Sequence, residues 1–311
     1  MYWLPAFLAA LAAMELYDYF VLRGRCGAAR FWGVSLLSVA AVVWPFLSPA
    51  QPILRFVLGM VVFNKIIKTI ELAYGRVSDP QMVATFGRYL FWSLNFPDTQ
   101  WPATRDDAVK ARQDGMRRLG RFLAKAVVSA GLVALLLTVP AIRDYYWLKI
   151  TWWLFLACFG FSGVSDFVTG SAMLTGVRFI EMFDSPLLAR SPREFWSKRW
   201  NLYFREVCHR NVFLPLGGAK RPLLAVCAVF AVSALMHEYL IFVSIGWNMI
   251  GYMSAFFALH CCATIAQTLL GRMLGKKKLL PRPVAIILHI AWMILTSPLL
   301  IMPLLQIFPI M

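Results

Sequence analysis

The feature that most restricts this chain is a succession of apolar runs, each 18 residues or longer, separated by polar or basic connections. Inside a bilayer every backbone polar group must be satisfied within the structure, and a helix needs roughly 20 mostly apolar residues to cross about 30 Å of hydrocarbon. Eight such runs occur, at about 1–22, 31–48, 53–74, 122–139, 145–168, 222–245, 249–270 and 284–309. Composition agrees, because 60% of the 311 residues are hydrophobic and only 15% are charged. Ordinary globular proteins carry roughly 45–50% and 25%, and a soluble domain has too few interior positions to hide the excess. Disorder, a collagen-like fibre and a small disulfide scaffold are excluded on the same ground. The expected fold is all-α: a multi-pass transmembrane helical bundle of about eight spanning helices, with residues 1–311 forming one membrane-embedded domain.

Charge is distributed by side. Segments 23–30, 75–121, 175–221 and 271–283 hold 25 of the 31 Lys and Arg, whereas 49–52, 140–144 and 246–248 hold only Arg143. Basic residues collect in cytoplasmic connections, so eight spans place both termini on the non-cytoplasmic side. The net charge of +16 is thus explained by topology and membrane lipids, without a nucleic-acid partner. The first run has no basic stretch before it and carries Glu15 and Asp18, so it reads as a retained helix rather than a cleaved signal. The six cysteines show no C-x-x-C pairing, so neither a disulfide framework nor a zinc site is expected.

The basic connections hold further structure. Thr104, Asp106 and Asp107 form a helix start with a cap and an acidic first turn, and the basic ARQDGMRRLGR that follows suits a helix lying on anionic headgroups. Residues 81–96 are too polar to span and read as an interfacial or re-entrant segment. Two runs depart from a plain straight span: Gly160, Gly163 and Gly170 allow 145–174 to bend or run long, and Pro298 and Pro303 interrupt 284–309.

Two places break the apolar pattern. His237 and Glu238 lie within a span, about 22 Å along a helix beginning near residue 222, where ionisable groups are costly and usually line a cavity or reaction path. An HExxH zinc site is excluded because the fourth residue after His237 is Ile241. The second place, residues 191–218, interleaves aromatics with Arg193, Lys198, Arg199 and Arg205, which suits an interfacial helix holding phosphate groups. Among the other acids, Glu15 and Asp18 are expected to pair with Lys65 or Lys68, and Glu71 with Lys68 one turn away. Asp166 reads as a cavity-lining candidate with a structural reading ahead of it, Glu238 as a support residue, and His209, His260 and His289 as satisfied or interfacial histidines.

Together, P-L at 186–187, S-P-R-E-F-W-S-K-R-W-N at 191–201 and S-A-L-M-H-E at 233–238 resemble the wax synthase branch of the membrane-bound O-acyltransferase superfamily. That branch shows an F-W-G-+-+-W-[NH] block, followed about 35–40 residues later by S-x-x-x-H-[ED]; here Asn201 and His237 are 36 residues apart, and Ser197 replaces the usual Gly. The resemblance covers about residues 184–242. It implies acyl transfer from acyl-CoA to a long-chain alcohol or other lipid hydroxyl, with His237 and Asn201 as the catalytic pair. Trp196, Arg193, Lys198, Arg199, Trp200 and Arg205 are then the expected acyl-CoA-binding group, with no metal and no cofactor beyond the acyl-CoA co-substrate. The chemistry is coherent on its own terms, since a neutral imidazole takes the hydroxyl proton as the C–O bond forms, and Asn201 orients it or supports the oxyanion. A transporter with a buried polar pathway and a non-catalytic scaffold of the same fold are the alternatives. No G-x-S-x-G elbow is present. The residues leave open the acyl length, the acceptor, the oligomeric state, and whether the membrane is a bacterial inner membrane or the endoplasmic reticulum.

Overall fold

A computed structural model describes residues 3–273 and 280–309 of the chain. Lys276, Lys277 and Lys278 of the basic 271–283 connection, and the outermost residues of both termini, lie outside the described residues. Helix α1 (Trp3–Tyr17) runs into a π-helical turn over Asp18–Leu22, α2 (Gly27–Val43) into a 3-10 turn over Trp44–Leu47, and α3 spans Pro52–Ala73. Then come α4 (Phe86–Leu94), α5 (Arg105–Thr138), α6 (Pro140–Asp144) and α7 (Tyr146–Met173). Two short helices, α8 (Pro192–Glu194) and α9 (Leu202–Cys208), precede α10 (Pro222–Ile245), α11 (Tyr252–Met273), α12 (Arg282–Thr296) and α13 (Pro298–Ile307). This is an all-α integral membrane bundle.

All eight apolar runs are helical, but they are not equally apolar. Six helical stretches are long and apolar enough to cross a membrane, and α12 with α13, bent by 51°, make a seventh if counted as one span. The exception is α3, whose 22 residues carry Lys65, Lys68 and Glu71, all buried. Those charges are tolerated because they are paired inside the bundle. Lys65 Nζ lies 2.8 Å from Glu15 and 2.8 Å from Asp18, whose carboxylate also accepts from Thr69 Oγ1. The π-helical turn at Asp18 follows the acids that α1 delivers to this pair.

The remaining ion pairs differ from the sequence expectation. Lys68 faces Asp98 at 3.6 Å rather than Glu15 or Asp18, and Glu71 is held at 2.5 Å by Arg210, from 139 residues away, rather than by Lys68. Helical neighbours on α3 were displaced by groups that only tertiary folding brings in. Asp166 is buried and paired with Arg121 and Lys125, each at 2.6 Å, so it ties α7 to α5.

Helix α5 corrects a second expectation. It begins at the anticipated Thr104 cap, where Asp107 N–H donates to Thr104 Oγ1 and Thr104 N–H to Asp107, but no break separates the basic half from the apolar half. At 1.5 Å per residue it is about 51 Å long, so its basic half continues past the hydrocarbon as part of the spanning helix instead of forming a separate headgroup helix. Helix α7 runs long and continuous beside it. Gly170 does not bend α7; it lets the two backbones meet, since a Cβ there would lie 3.0 Å from Gly115 O, and one at Gly115 would lie 2.8 Å from Gly170 O. Pro298 begins α13 at the bend and Pro303 lies inside it. A two-residue antiparallel pairing, Thr99 with Phe179 and Gln100 with Arg178, ties the two long basic connections together.

Candidate functional site

Residues 178–213 position most of the anticipated site residues. The segment doubles back on itself, as Asp184 N–H donates to Arg199 O and Leu202 N–H to Met182 O. Phe195 stacks on Trp200 at 5.3 Å, and Trp200 meets Phe183 edge-on at 4.9 Å. Phe195, 3% exposed, packs with Leu154 and Cys158 of α7 and Met293 of α12. Leu154 and Cys158 are interior positions of α7, so residues 186–200 dip into the bundle. An interfacial helix resting on the bilayer surface, the simplest reading of the aromatic–basic interleaving, is not what forms: the aromatics face inward against helices and the cations remain outside.

The four basic residues divide into two pairs. Arg199 is consumed by the fold, bonding Glu194 at 2.9 Å and Asp184 O at 3.1 Å. Arg205 donates to Ser197 O at 2.9 Å and contacts Glu206. Arg193 and Lys198 are exposed, and their side chains bond no protein group among the described residues. Glu194 also accepts from Arg190. Burial raises its carboxyl pKa, but the Arg190 and Arg199 hydrogen bonds outweigh that and hold it below the ordinary glutamate range.

Asn201 stands at φ 43°, ψ 59°, and its Oδ1 accepts from Phe204 N–H at 3.2 Å, capping α9. Asn tolerates the left-handed region better than most residues because its short side chain bonds locally, so the fold alone supplies one reason for an asparagine here. Beyond it, Arg210 donates to Glu71 and to Asp98 at 2.7 Å, fastening the segment to α3. Cys208, next to His209, is buried and its thiol is pushed up to about 12, so it is not a nucleophile at neutral pH.

His237 lies on α10, where its Nδ1 is 2.7 Å from the Ser233 carbonyl one turn earlier. A carbonyl only accepts, so a neutral ring carries its proton on Nδ1, and its Nε2 lone pair has no partner among the described residues. The ring packs on Phe257 at 4.7 Å, and Phe257 packs on Trp196 at 5.5 Å. His237 and Trp196 therefore share one aromatic neighbour. Asn201 forms no hydrogen bond with His237 among the described residues. Glu238 points elsewhere and accepts from Gly251 and Ser254 N–H groups, at 3.0 and 2.7 Å, at the start of α11.

One participant was not singled out from sequence. His260 Nδ1 accepts from Trp196 Nε1 at 3.1 Å, while its Nε2 lies 3.1 Å from Thr296 Oγ1. That hydroxyl donates to Trp292 O, so His260 is a satisfied neutral residue that orients the Trp196 indole. No local pattern marks it, because its partners come from two other elements, the 195–199 turn and α12.

A family profile falls on the same segment. Residues 179–259 match the profile of the membrane bound O-acyl transferase family. Over 110 residues the chain is 36% identical to a probable long-chain-alcohol O-fatty-acyltransferase 2 of Arabidopsis thaliana, covering 33% of this chain and 32% of that protein. It is 27% identical over 204 residues to a long-chain-alcohol O-fatty-acyltransferase of Simmondsia chinensis, 60% of this chain and 55% of the relative. It is 28% identical over 133 residues to acyl-CoA–sterol O-acyltransferase 1 of Arabidopsis thaliana, 39% of this chain and 37% of the relative. The chain thus spans between about a third and just over half the length of these three relatives. These similarities support the membrane bound O-acyl transferase superfamily and, within it, the branch of the long-chain-alcohol enzymes.

Proposed function

We propose that this chain is an acyl-CoA-dependent O-acyltransferase that esterifies a long-chain alcohol or another lipid hydroxyl inside the membrane, with His237 as general base and Asn201 assisting. The observation that carries the reading is the Nδ1–H bond from His237 to Ser233 O, which leaves Nε2 as the proton acceptor at depth in a span. In this mechanism Nε2 takes the hydroxyl proton as the alcohol oxygen adds to the thioester carbonyl. The tetrahedral adduct collapses to the ester and expels CoA thiolate, which recovers the proton from the imidazolium. Thiolate leaves readily, so neither a covalent enzyme intermediate nor a cofactor beyond the acyl-CoA is required.

Arg193 and Lys198 are the cations left available for CoA phosphates, while Arg199, Arg205 and Trp200 shape the loop that presents them. Trp196 supplies an aromatic wall shared with His237. Asn201, engaged through Oδ1 in capping α9, retains its Nδ2 donor for the acyl oxygen. The basic end of the bundle faces the cytoplasm and receives the soluble donor, with both termini on the opposite side. The transport alternative is weakened because the buried acids it would use, Glu15 and Asp18, are closed in pairs with Lys65.

The test is purified protein in nanodiscs with palmitoyl-CoA and 1-hexadecanol, following CoA release and ester by mass spectrometry. Losing a general base costs about 10²–10⁴ in rate, so His237→Ala is expected to lower turnover by that factor while eluting as folded protein. Turnover equal to wild type in the folded variant would refute His237 as the base, and no CoA release with any acyl length or acceptor would refute acyl transfer.

A further inference from the structure

At the basic end of the bundle, where α2 begins and α3 ends, three arginines rest on two tyrosines. The guanidinium carbon of Arg30 lies 4.5 Å from the Tyr74 ring centroid, and that of Arg76 lies 5.2 Å from the same centroid. Arg23 lies 5.0 Å from the centroid of Tyr19. A ring face attracts a cation, but two guanidiniums gathered on one ring repel each other. Among the described residues none of the three is in an ion pair, and the acids nearest along the chain are engaged elsewhere: Asp18 with Lys65, Glu71 with Arg210, and Asp79 with the Gln81 and Trp101 N–H groups. Arg76 donates to Asn211 Oδ1 at 3.3 Å. The side chains of Arg23 and Arg30, and the Tyr74 hydroxyl, bond no protein group among the described residues, and all stand at least partly exposed. Bare aromatic surface borders this charge, since Phe31 and Trp32, which follow Arg30 on α2, are 55% and 68% exposed, and Phe20 is 65% exposed.

From this juxtaposition we infer that Arg30, Tyr74 and Arg76 form a binding site for the phosphate headgroup of an anionic phospholipid, with Arg23 as its outer cation. Guanidinium meets phosphate oxygens in paired, charge-assisted hydrogen bonds, so one headgroup answers cations that the protein itself leaves unpaired. The Tyr74 ring gathers the two arginines before the lipid arrives, and its hydroxyl is a further donor. Arginines at the end of a spanning helix attract anionic headgroups, and aromatic side chains are at home at that level of the membrane. The exposed Phe20, Phe31 and Trp32 give acyl chains an apolar surface that a soluble phosphate cannot use, which commits the site to a lipid. A choline headgroup brings its own cation against three arginines and is disfavoured. The site is independent of the acyltransferase reading, which places the donor phosphates at Arg193 and Lys198.

The experiment measures equilibrium binding of phosphatidylglycerol with a fluorescent acyl chain to the full chain in non-ionic detergent micelles, against phosphatidylcholine with the same label. Wild type is expected to bind phosphatidylglycerol more tightly. Each arginine beside an anionic headgroup is worth about fivefold in affinity, the factor for about 1 kcal/mol. Arg30→Gln with Arg76→Gln should therefore weaken phosphatidylglycerol binding about twenty- to thirtyfold and leave phosphatidylcholine unchanged. Tyr74→Leu, which keeps every charge and removes the ring that gathers the arginines, should weaken it too. Arg117→Gln, at an exposed arginine on α5, should not. Equal affinity for the two lipids, or phosphatidylglycerol binding indifferent to the double variant, overturns the inference. So does a loss in Arg117→Gln matching that of Arg30→Gln alone, because the attraction would then belong to the net charge of +16 rather than to a site. Displacement of the lipid by coenzyme A as readily as by unlabelled phosphatidylglycerol also overturns it, and reassigns the cluster to a soluble phosphate.

Discussion

Replacing Arg210 with methionine keeps much of the side chain's length and removes only its charge and donors. In the structure its guanidinium is shared between Glu71, at 2.5 Å and 3.1 Å, and Asp98, at 2.7 Å, and both acids are essentially buried. Without Arg210 the one remaining cation paired with them among the described residues is Lys68, 3.6 Å from Asp98. Two buried carboxylates then share one charge. Removing one partner of a buried ion pair typically costs about 3–5 kcal/mol, because an uncompensated charge is left behind rather than because the pair itself was worth that much. Arg210→Met is therefore expected to lose about 3–5 kcal/mol in reversible unfolding of the reconstituted protein. The triple variant Arg210→Met, Glu71→Gln, Asp98→Asn should recover at least half of the loss, since the orphaned charges are gone. A loss below about 1 kcal/mol in the single variant, or no recovery in the triple, would show that the segment is held by packing and that the ion cluster is not what fastens it.

Three further outcomes follow from particular contacts. Glu194 has a depressed carboxyl pKa in the folded state, so its stabilising contribution is present above the ordinary glutamate value of about 4.3 and lost as pH falls through the lower folded value; Glu194→Gln should reduce acid sensitivity in thermal melts taken across that window, and an unchanged acid limb would contradict the assignment. Gly170→Val sets a branched side chain against Gly115 O and Leu119, and overpacking of this kind costs about 1–3 kcal/mol, to be read as a lowered melting temperature that Gly120→Ala, in open space, does not share. Cys208, its thiol pushed up to about 12 by burial, should resist N-ethylmaleimide at pH 7.5 in native protein and react after denaturation, as peptide mass spectrometry would report.

What the sequence by itself determined are quantities that depend on neighbours along the chain. Apolar run length located every long helix, because hydrocarbon thickness sets a length that any isolated segment either meets or does not. The Thr104 cap and its acidic first turn are local hydrogen bonding, and they marked the start of α5 correctly. The block at 191–201 and His237, 36 residues apart, carried the resemblance that the family comparison then returned for residues 179–259.

Only the tertiary structure decided who pairs with whom. Lys68 and Glu71 sit one turn apart on α3, yet each is taken by a partner from elsewhere, since a buried charge goes to the geometry with the least desolvation left unpaid and no local spacing reveals that choice. The same holds for the 186–200 segment. Its aromatic–basic interleaving fits a surface helix as well as a segment dipping inward, and the decision is made by α7 and α12, which bury Phe195 and leave Arg193 and Lys198 outside. His260 and His289 look alike in sequence, two histidines in apolar helices. One finds an indole and a hydroxyl within reach and the other finds no hydrogen-bond partner among the described residues, and that difference exists only once the helices are packed.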